Sequence, residues 1–231
     1  MSFAVLNGAF SPQSARQSLA GLGKTWVATT PTPGTAVAYA NQTSYSATAN
    51  GFLSIFNGNP VGTATAPGVN IYLDRLKLIQ TATAPTGGLV TRFEIFSASA
   101  QIVMTTHVVT PVPVNLSQAF ANTATGAVIQ FWSAGAATVP ALTGSRLLHV
   151  GSFCSGVNVQ QDSWTIEFGA DGTDGGIPPL TAARATDPSD LSTWAPAIVV
   201  APQTAIVMNL WGLTPAANVP SYEANLIYNE F

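Results

Sequence analysis

Val69-Asn70-Ile71-Tyr72-Leu73-Asp74-Arg75-Leu76-Lys77-Leu78-Ile79-Gln80-Thr81-Ala82 is the stretch whose reading decides the fold. Apolar residues hold the odd positions through Leu73, and then Leu76 and Leu78 reverse the phase. Alternation with period two marks a strand with one buried face. A phase reversal inside it predicts a bulge or a long bent strand, because one extra residue turns every later side chain over. Tyr72–Gln80 alone also fits a helix, but β-branched residues surround it and no cap precedes it.

The same grammar extends in both directions. Upstream, Lys24–Thr30 is a β-prone run stopped by Pro31-Thr32-Pro33-Gly34, and Thr35–Asn41 resumes it. Tyr45–Ala49 and Gly51–Phe56 follow, ended by the turn signal Asn57-Gly58-Asn59-Pro60. Downstream, Pro85-Thr86-Gly87-Gly88 leads into Leu89–Phe96 and then Ala100–Val109, which Pro111 and Pro113 terminate. Ala119–Ala124 reads as a short helix or a loop. Gly126–Trp132, Arg146–Val159 and Ser163–Phe168 read as strands, Gly169–Pro196 as a long irregular insertion, and Ala197–Val200, Thr204–Leu210 and Tyr222–Phe231 as the final strands.

About a dozen short strands between Gly, Pro and Asn turns predict an all-β fold, an antiparallel β-sandwich of jelly-roll type. No βαβ alternation appears, so a parallel sheet is not expected. Residues 24–231 read as one domain. Met1–Gly23 reads as an extended N-terminal arm in which Ser14–Leu22 has room for a turn or two of helix.

Charged residues make up only 7% of the 231 residues, where soluble domains carry roughly 25%. The net charge is −3, and the seven Lys and Arg are scattered. No basic stripe is available to neutralise phosphates, so no nucleic-acid partner is expected. No polybasic segment and no run of roughly 20 apolar residues points to a membrane. The lone Cys154 forbids an intrachain disulfide and reads as a small buried apolar residue. Met1-Ser2-Phe3-Ala4 lacks the basic and long apolar regions of a secretory signal, so ordinary signal-dependent export is not expected.

Catalysis requires titratable groups gathered in space, and few exist here. No G-x-S-x-G elbow distinguishes a nucleophilic serine. His107 and His149 lie in strand-like runs and read as sheet-facing or core imidazoles rather than ligands. Asp171-Gly172-Thr173-Asp174-Gly175-Gly176 offers two carboxylates on a flexible loop, but it lacks the distal Glu of a calcium loop and reads as a tight turn. Trp132, Trp194 and Trp211 lie near predicted loops or strand ends, where they either plug the sandwich core or offer faces to a glycan. No catalytic residue, metal site or cofactor is expected.

The run Ala197–Trp211 reads as a hairpin, two extended arms about the Pro202 turn, and Tyr222–Glu230 as a closing strand. With the Ala/Thr/Ser-rich, Lys-poor make-up, this resembles the small β-sandwich structural proteins of tailed bacteriophage virions. The resemblance implies a non-enzymatic capsid cement or decoration protein, commonly a homotrimer, that clamps the major capsid protein shell through β-edge and apolar contacts. A tail, fibre or glycan-binding receptor protein is the alternative it leaves open.

If the arm is an inter-subunit tether, deleting Met1–Gly23 leaves the β domain folded and weakens assembly. Circular dichroism and sedimentation of the truncated chain check this, and a truncated chain that no longer folds overturns it.

Overall fold

The computed structural model describes residues 12–30, 37–38, 51–81, 89–105, 108–120, 124–132, 145–155, 163–169, 191–212 and 221–231. Helix α1 (Pro12–Gly21) is followed by β1 (Thr25–Thr29), β2 (Val37–Ala38), β3 (Gly51–Asn57), β4 (Ile71–Gln80) and β5 (Leu89–Ala98). Then come β6 (Val108–Val109), β7 (Val114–Asn115), a single 3-10 turn (Gln118–Phe120), β8 (Ala127–Trp132), β9 (Arg146–Ser155) and β10 (Ser163–Phe168). The chain finishes with β11 (Leu191–Ala195), β12 (Val199–Val200), β13 (Ala205–Gly212) and β14 (Ser221–Glu230). The expected strand Tyr45–Ala49 lies outside the described residues.

The strands form two sheets packed as a sandwich. Sheet A runs β11-β10-β4-β14-β1-β7, with β12 on β4 and β2 on β14; sheet B runs β6-β8-β3-β13-β5-β9. If β1, β3, β4, β5, β9, β10, β13 and β14 are numbered one to eight in chain order, sheet A carries 1-8-3-6 and sheet B carries 2-7-4-5. Inward residues of both sheets, among them Trp26, Phe52, Leu76, Phe93, Phe131, Trp164, Leu210 and Tyr228, make one buried core.

The phase reversal in β4 is a bulge. Ile227 pairs with Arg75 and Tyr228 with Leu73, which leaves Asp74 without an opposite number on β14. Leu73 and Leu76 therefore both point inward, while Arg75 is exposed. The displaced Asp74 receives Arg16 from α1, N–O 3.1 Å. This ion pair is half-exposed and contributes at most about 1 kcal/mol. Its value is positional, since it fastens a helix that also packs against β1.

Three expectations need correction. Leu191–Ala195 belongs to the predicted irregular insertion, yet it is a strand, parallel to β10 from Trp164↔Leu191 to Phe168↔Ala195. It is the one parallel pair among the described strands. The two arms about Pro202 do not form a hairpin: β12 pairs with β4 in sheet A, and β13 with β3 and β5 in sheet B. The Ala201–Thr204 turn, closed by Thr204 N–H to the Ala201 carbonyl (3.1 Å), carries the chain between sheets. Gln203 adopts φ 61° there, and its amide donates to the carbonyls of Gly58 (3.1 Å) and Asn59 (2.9 Å), which holds a backbone shape that L-residues disfavour. Finally, of the described residues of Ala100–Val109 only Val108–Val109 form a strand, with a single bridge residue at Thr105. The preceding residues cross the outer face of sheet B, where the Ile102 carbonyl accepts from Ser54 Oγ (3.0 Å) and Met104 N–H donates to Gln130 Oε1 (3.0 Å). Ile102 and Met104 build a second small core there with Ala98, Ala205 and Val207.

The end of β14 is pinned by neutral partners. Glu230 Oε1 accepts from Asn59 Nδ2 (2.7 Å) and from Gly126 N–H (2.8 Å). Asn70 and Phe231 exchange backbone hydrogen bonds of 3.0 and 3.1 Å, and the Phe231 ring stacks on Tyr72 at 4.4 Å. Burial pushes the Tyr228 phenol well above its ordinary value; the hydrogen bond with Thr125 works against this and the nearby Glu230 carboxylate adds to it, so Tyr228 stays neutral.

Replacing Glu230 with Ala leaves the Asn59 and Gly126 donors unanswered. The expected loss is about 1–3 kcal/mol by denaturant titration, with Glu230→Gln, which keeps one acceptor oxygen, losing less. Equal stability of both variants and the parent would remove this latch.

Candidate assembly interface

Helix α1 begins at Pro12, where the missing N–H costs nothing, and ends in a left-handed glycine cap. Gly23 N–H bonds to the Ala20 carbonyl (2.9 Å) and Lys24 N–H to that of Leu19 (3.0 Å), with Gly23 at φ 68°. The cap turns the chain directly into β1 and leaves Leu22 on the surface. Phe120 lies against the bare Cα of Gly23: a Cβ built there would sit 2.5 Å from the ring.

Beside this corner β7 forms the outer strand of sheet A, pairing with β1 at Trp26↔Asn115 and Val27↔Val114. Its polarity is inverted relative to every rule for a strand over a core. Asn115 is buried, with Nδ2 donating to the Gly23 carbonyl (2.8 Å) and Oδ1 accepting from Ser117 N–H (2.9 Å). Val112, Val114 and Leu116 alternate with it and face solvent, Val112 at 86% exposure. With Leu22 and Phe120 they make an apolar border along one side of sheet A. Isolated exposed apolar residues are ordinary, whereas a grouped set marks a binding surface.

The backbone of this edge is poorly suited to strand addition. Leu116 N–H donates to the Thr25 carbonyl (3.0 Å), so by antiparallel alternation Pro113, Asn115 and Ser117 turn their backbone groups to the free side. Pro113 has no N–H, and that of Ser117 is taken by Asn115. Contact at β7 must therefore come through side chains.

Charge is segregated from this border. No Asp, Glu, Lys or Arg occurs between Lys24 and Asp74 or between Glu94 and Arg146, and these two runs supply β1, β3 and β6 to β8. On β4, β10 and β14, Arg75 lies opposite Glu167, and Lys77 and Glu223 sit at nearby register positions. One flank of sheet A is thus charged, while among the described residues the β7 flank has Lys24 as its nearest charge.

Of the residues singled out for chemistry, only His149 and Trp132 have described side chains. His149 sits in β9 with its ring 5.6 Å from that of Phe93, and Trp132 is buried at the end of β8. Trp194 and Trp211 fall in β11 and β13 and Cys154 in β9, with side chains outside the described residues, as are His107, Asp171 and Asp174 altogether. Among the described residues no three His, Cys, Asp or Glu side chains form a metal-binding group, and no helix is long and apolar enough to cross a membrane. The apolar border went unread because Val112, Val114 and Leu116 alternate like any inward face. The buried Asn115 is the residue that marks the inversion. Comparison of the chain with protein-family models, curated proteins and solved structures finds no match.

Substituting Gly23 with Ala forces both a left-handed backbone on an L-residue and a displacement of Phe120. A loss of more than about 1 kcal/mol is expected in thermal or denaturant melts. Unchanged stability would show that Phe120 moves aside freely and that the corner is not built.

Proposed function

We propose that this chain is a non-enzymatic virion structural protein, a capsid cement or decoration protein that binds and stabilises the major capsid protein shell of a tailed bacteriophage. The observation that carries the reading is the inverted polarity of β7, which presents Val112, Val114 and Leu116 outward and buries Asn115. A strand whose apolar side faces water is a half-made contact, and burying it supplies the driving force for docking. The 1-8-3-6 and 2-7-4-5 strand orders support a jelly roll, an architecture widely used in viral shells. The scarcity of charge supports a life against other protein rather than alone in solvent.

In this mechanism the shell supplies a complementary apolar surface and no strand. Val112, Val114 and Leu116 insert as side-chain anchors, and the Gly23–Phe120 corner keeps them in place. Clamping neighbouring capsomers then resists internal pressure, because separating them exposes the apolar border again.

Co-sedimentation with empty shells of the phage that encodes the chain tests this. Binding should change less than about threefold between about 0.15 M and about 1 M salt, since the contact carries no charge. Val112→Glu with Leu116→Glu should weaken binding at least tenfold at unchanged thermal stability. Release of the parent protein by moderate salt, or full binding by the double variant, counts against the proposal. Glycan-array hits without shell binding would replace it with the receptor-binding reading.

A further inference from the structure

At the far side of sheet B, β9 is a ten-residue outer strand. One of its edges bonds to β5 from Leu89↔Ser155 to Ser97↔Arg146; no described strand pairs with the other. Strand β11 of sheet A comes near β9 but takes its hydrogen bonds from β10. None of the residues 146–150 is buried, and Leu147, Leu148 and Val150 are 53%, 43% and 38% exposed. Folded proteins protect such edges by shortness, proline or lysine. The other outer strands comply: β6 and β7 have two residues each, with Pro113 beside β7, and β11 has five. In contrast, β9 contains no Pro and no Lys, and its lone charge, Arg146, stands at its first position. Among the described residues its protection is a bulge at Leu148, where His149 pairs with Ile95 and Leu147 with Phe96.

We infer that β9 pairs antiparallel with β9 of a second copy of this chain. Three features select that occupant. The first is size: the strand reads Arg-Leu-Leu-His-Val in its first half and Gly-Ser-Phe-Cys-Ser in its second. Antiparallel self-pairing sets the bulky half of each copy against the half with the smaller residues of the other. The second is charge, since antiparallel pairing places the two Arg146 side chains roughly 30 Å apart, well beyond the screening length. Parallel pairing would stack Arg146 on Arg146 and His149 on His149. The third is neutrality. Beyond Arg146 and His149 the strand offers nothing for an acidic or basic partner to select, and an identical strand meets its requirement for backbone hydrogen bonds.

The Gly151 position favours pairing near the strand centre. A Cβ built on Gly151 would lie 2.2 Å from Phe93 Cζ, so the Phe93 ring, fully buried, fills the space over this residue and holds β9 flat against β5. Symmetry adds a constraint. In a twofold antiparallel pair, hydrogen-bonded and non-bonded positions alternate, so one residue must face its own twin. That residue falls within Val150–Ser152, downstream of the bulge.

The experiment uses the purified chain without capsids, so its outcome is independent of shell binding. Light scattering should give twice the 23.8 kDa chain mass. In a Cys154→Ser background, Val150→Cys alone, Ser152→Cys alone and an equimolar mixture of the two are oxidised mildly, Gly151 being kept because a Cβ there meets Phe93. A disulfide dimer should peak in one of the three samples. Leu148→Lys with Val150→Lys should return the chain to a monomer with an unchanged circular dichroism spectrum. A parent chain that stays monomeric at all concentrations overturns the inference. So does a dimer or trimer that none of the three samples captures, or one that survives the lysine pair.

Discussion

The insertion of β14 between β1 and β4 is the constraint on which the rest of this structure depends. Residues 221–230 bond on one side to residues 25–29 and on the other to residues 71–80. Without that strand, sheet A separates into a β1-β7 fragment and a β4-β10-β11 fragment. The core also loses Tyr222, Ala224, Leu226 and Tyr228, all buried. Pairings between segments some 200 residues apart carry a large loop-closure cost before any contact rewards it, so this topology folds slowly and cooperatively. The β4 bulge follows from the same requirement. Both strands must turn their apolar residues inward along their full length, and only an extra residue at Asp74 keeps Ile71, Leu73, Leu76 and Leu78 together on one side. The surplus residue then becomes the attachment point of α1.

Neutral amides do the fastening that charges do elsewhere. Buried Asn57 donates to the carbonyls of Val69 (2.8 Å) and Val200 (2.9 Å) and accepts from Asn59 N–H (3.1 Å), tying the end of β3 in sheet B to β12 in sheet A. Gln203 and Asn115 play the same part at the inter-sheet turn and at the β7 corner. An amide brings a donor and an acceptor together, so one residue satisfies loop backbone groups of both kinds with no ion to desolvate. This explains how a sandwich with 7% charged residues closes its ends. It also means that the surfaces proposed for assembly lie in a weak electrostatic field.

What the chain reveals in advance depends on whether a signal is local. The β4 reversal is local, and it reads directly as a bulge. The strand runs Gly126–Trp132 and Ser163–Phe168 are local too, and they match β8 and β10 within a residue. Helix α1 is longer than the turn or two expected, because its Pro12 start and Gly23 cap enclose a full ten residues. The failures are all questions of partner. Leu191–Ala195 is a strand because β10 is beside it, and nothing in Leu-Ser-Thr-Trp-Ala alternates strongly enough to announce that. The Pro202 turn carries a hairpin signature, but the two arms bond to different sheets. Ile102 and Met104 look like strand residues and serve instead as a lid on the outer face of sheet B. A turn motif encodes a change of direction; the destination is set by packing.

The treatment of the sheet edges ties these threads together. A chain with so little charge has few means of keeping apolar edges apart, so each edge must be shortened, blocked or covered. At β7 the backbone is blocked by Pro113 and by the Asn115–Ser117 bond, while the side chains are left apolar and outward. At β9 no described strand pairs with the outer edge, and Leu147, Leu148 and Val150 in its first half are exposed. In the proposed assembly the first edge takes a surface and the second takes a strand. Two neutral edges that demand different kinds of cover can be occupied at once without competing, and because neither relies on charge, neither is steered toward the wrong partner by the other. In the proposed assembly the low charge of the chain is then a condition of joining: added lysines would protect both edges and leave nothing to join.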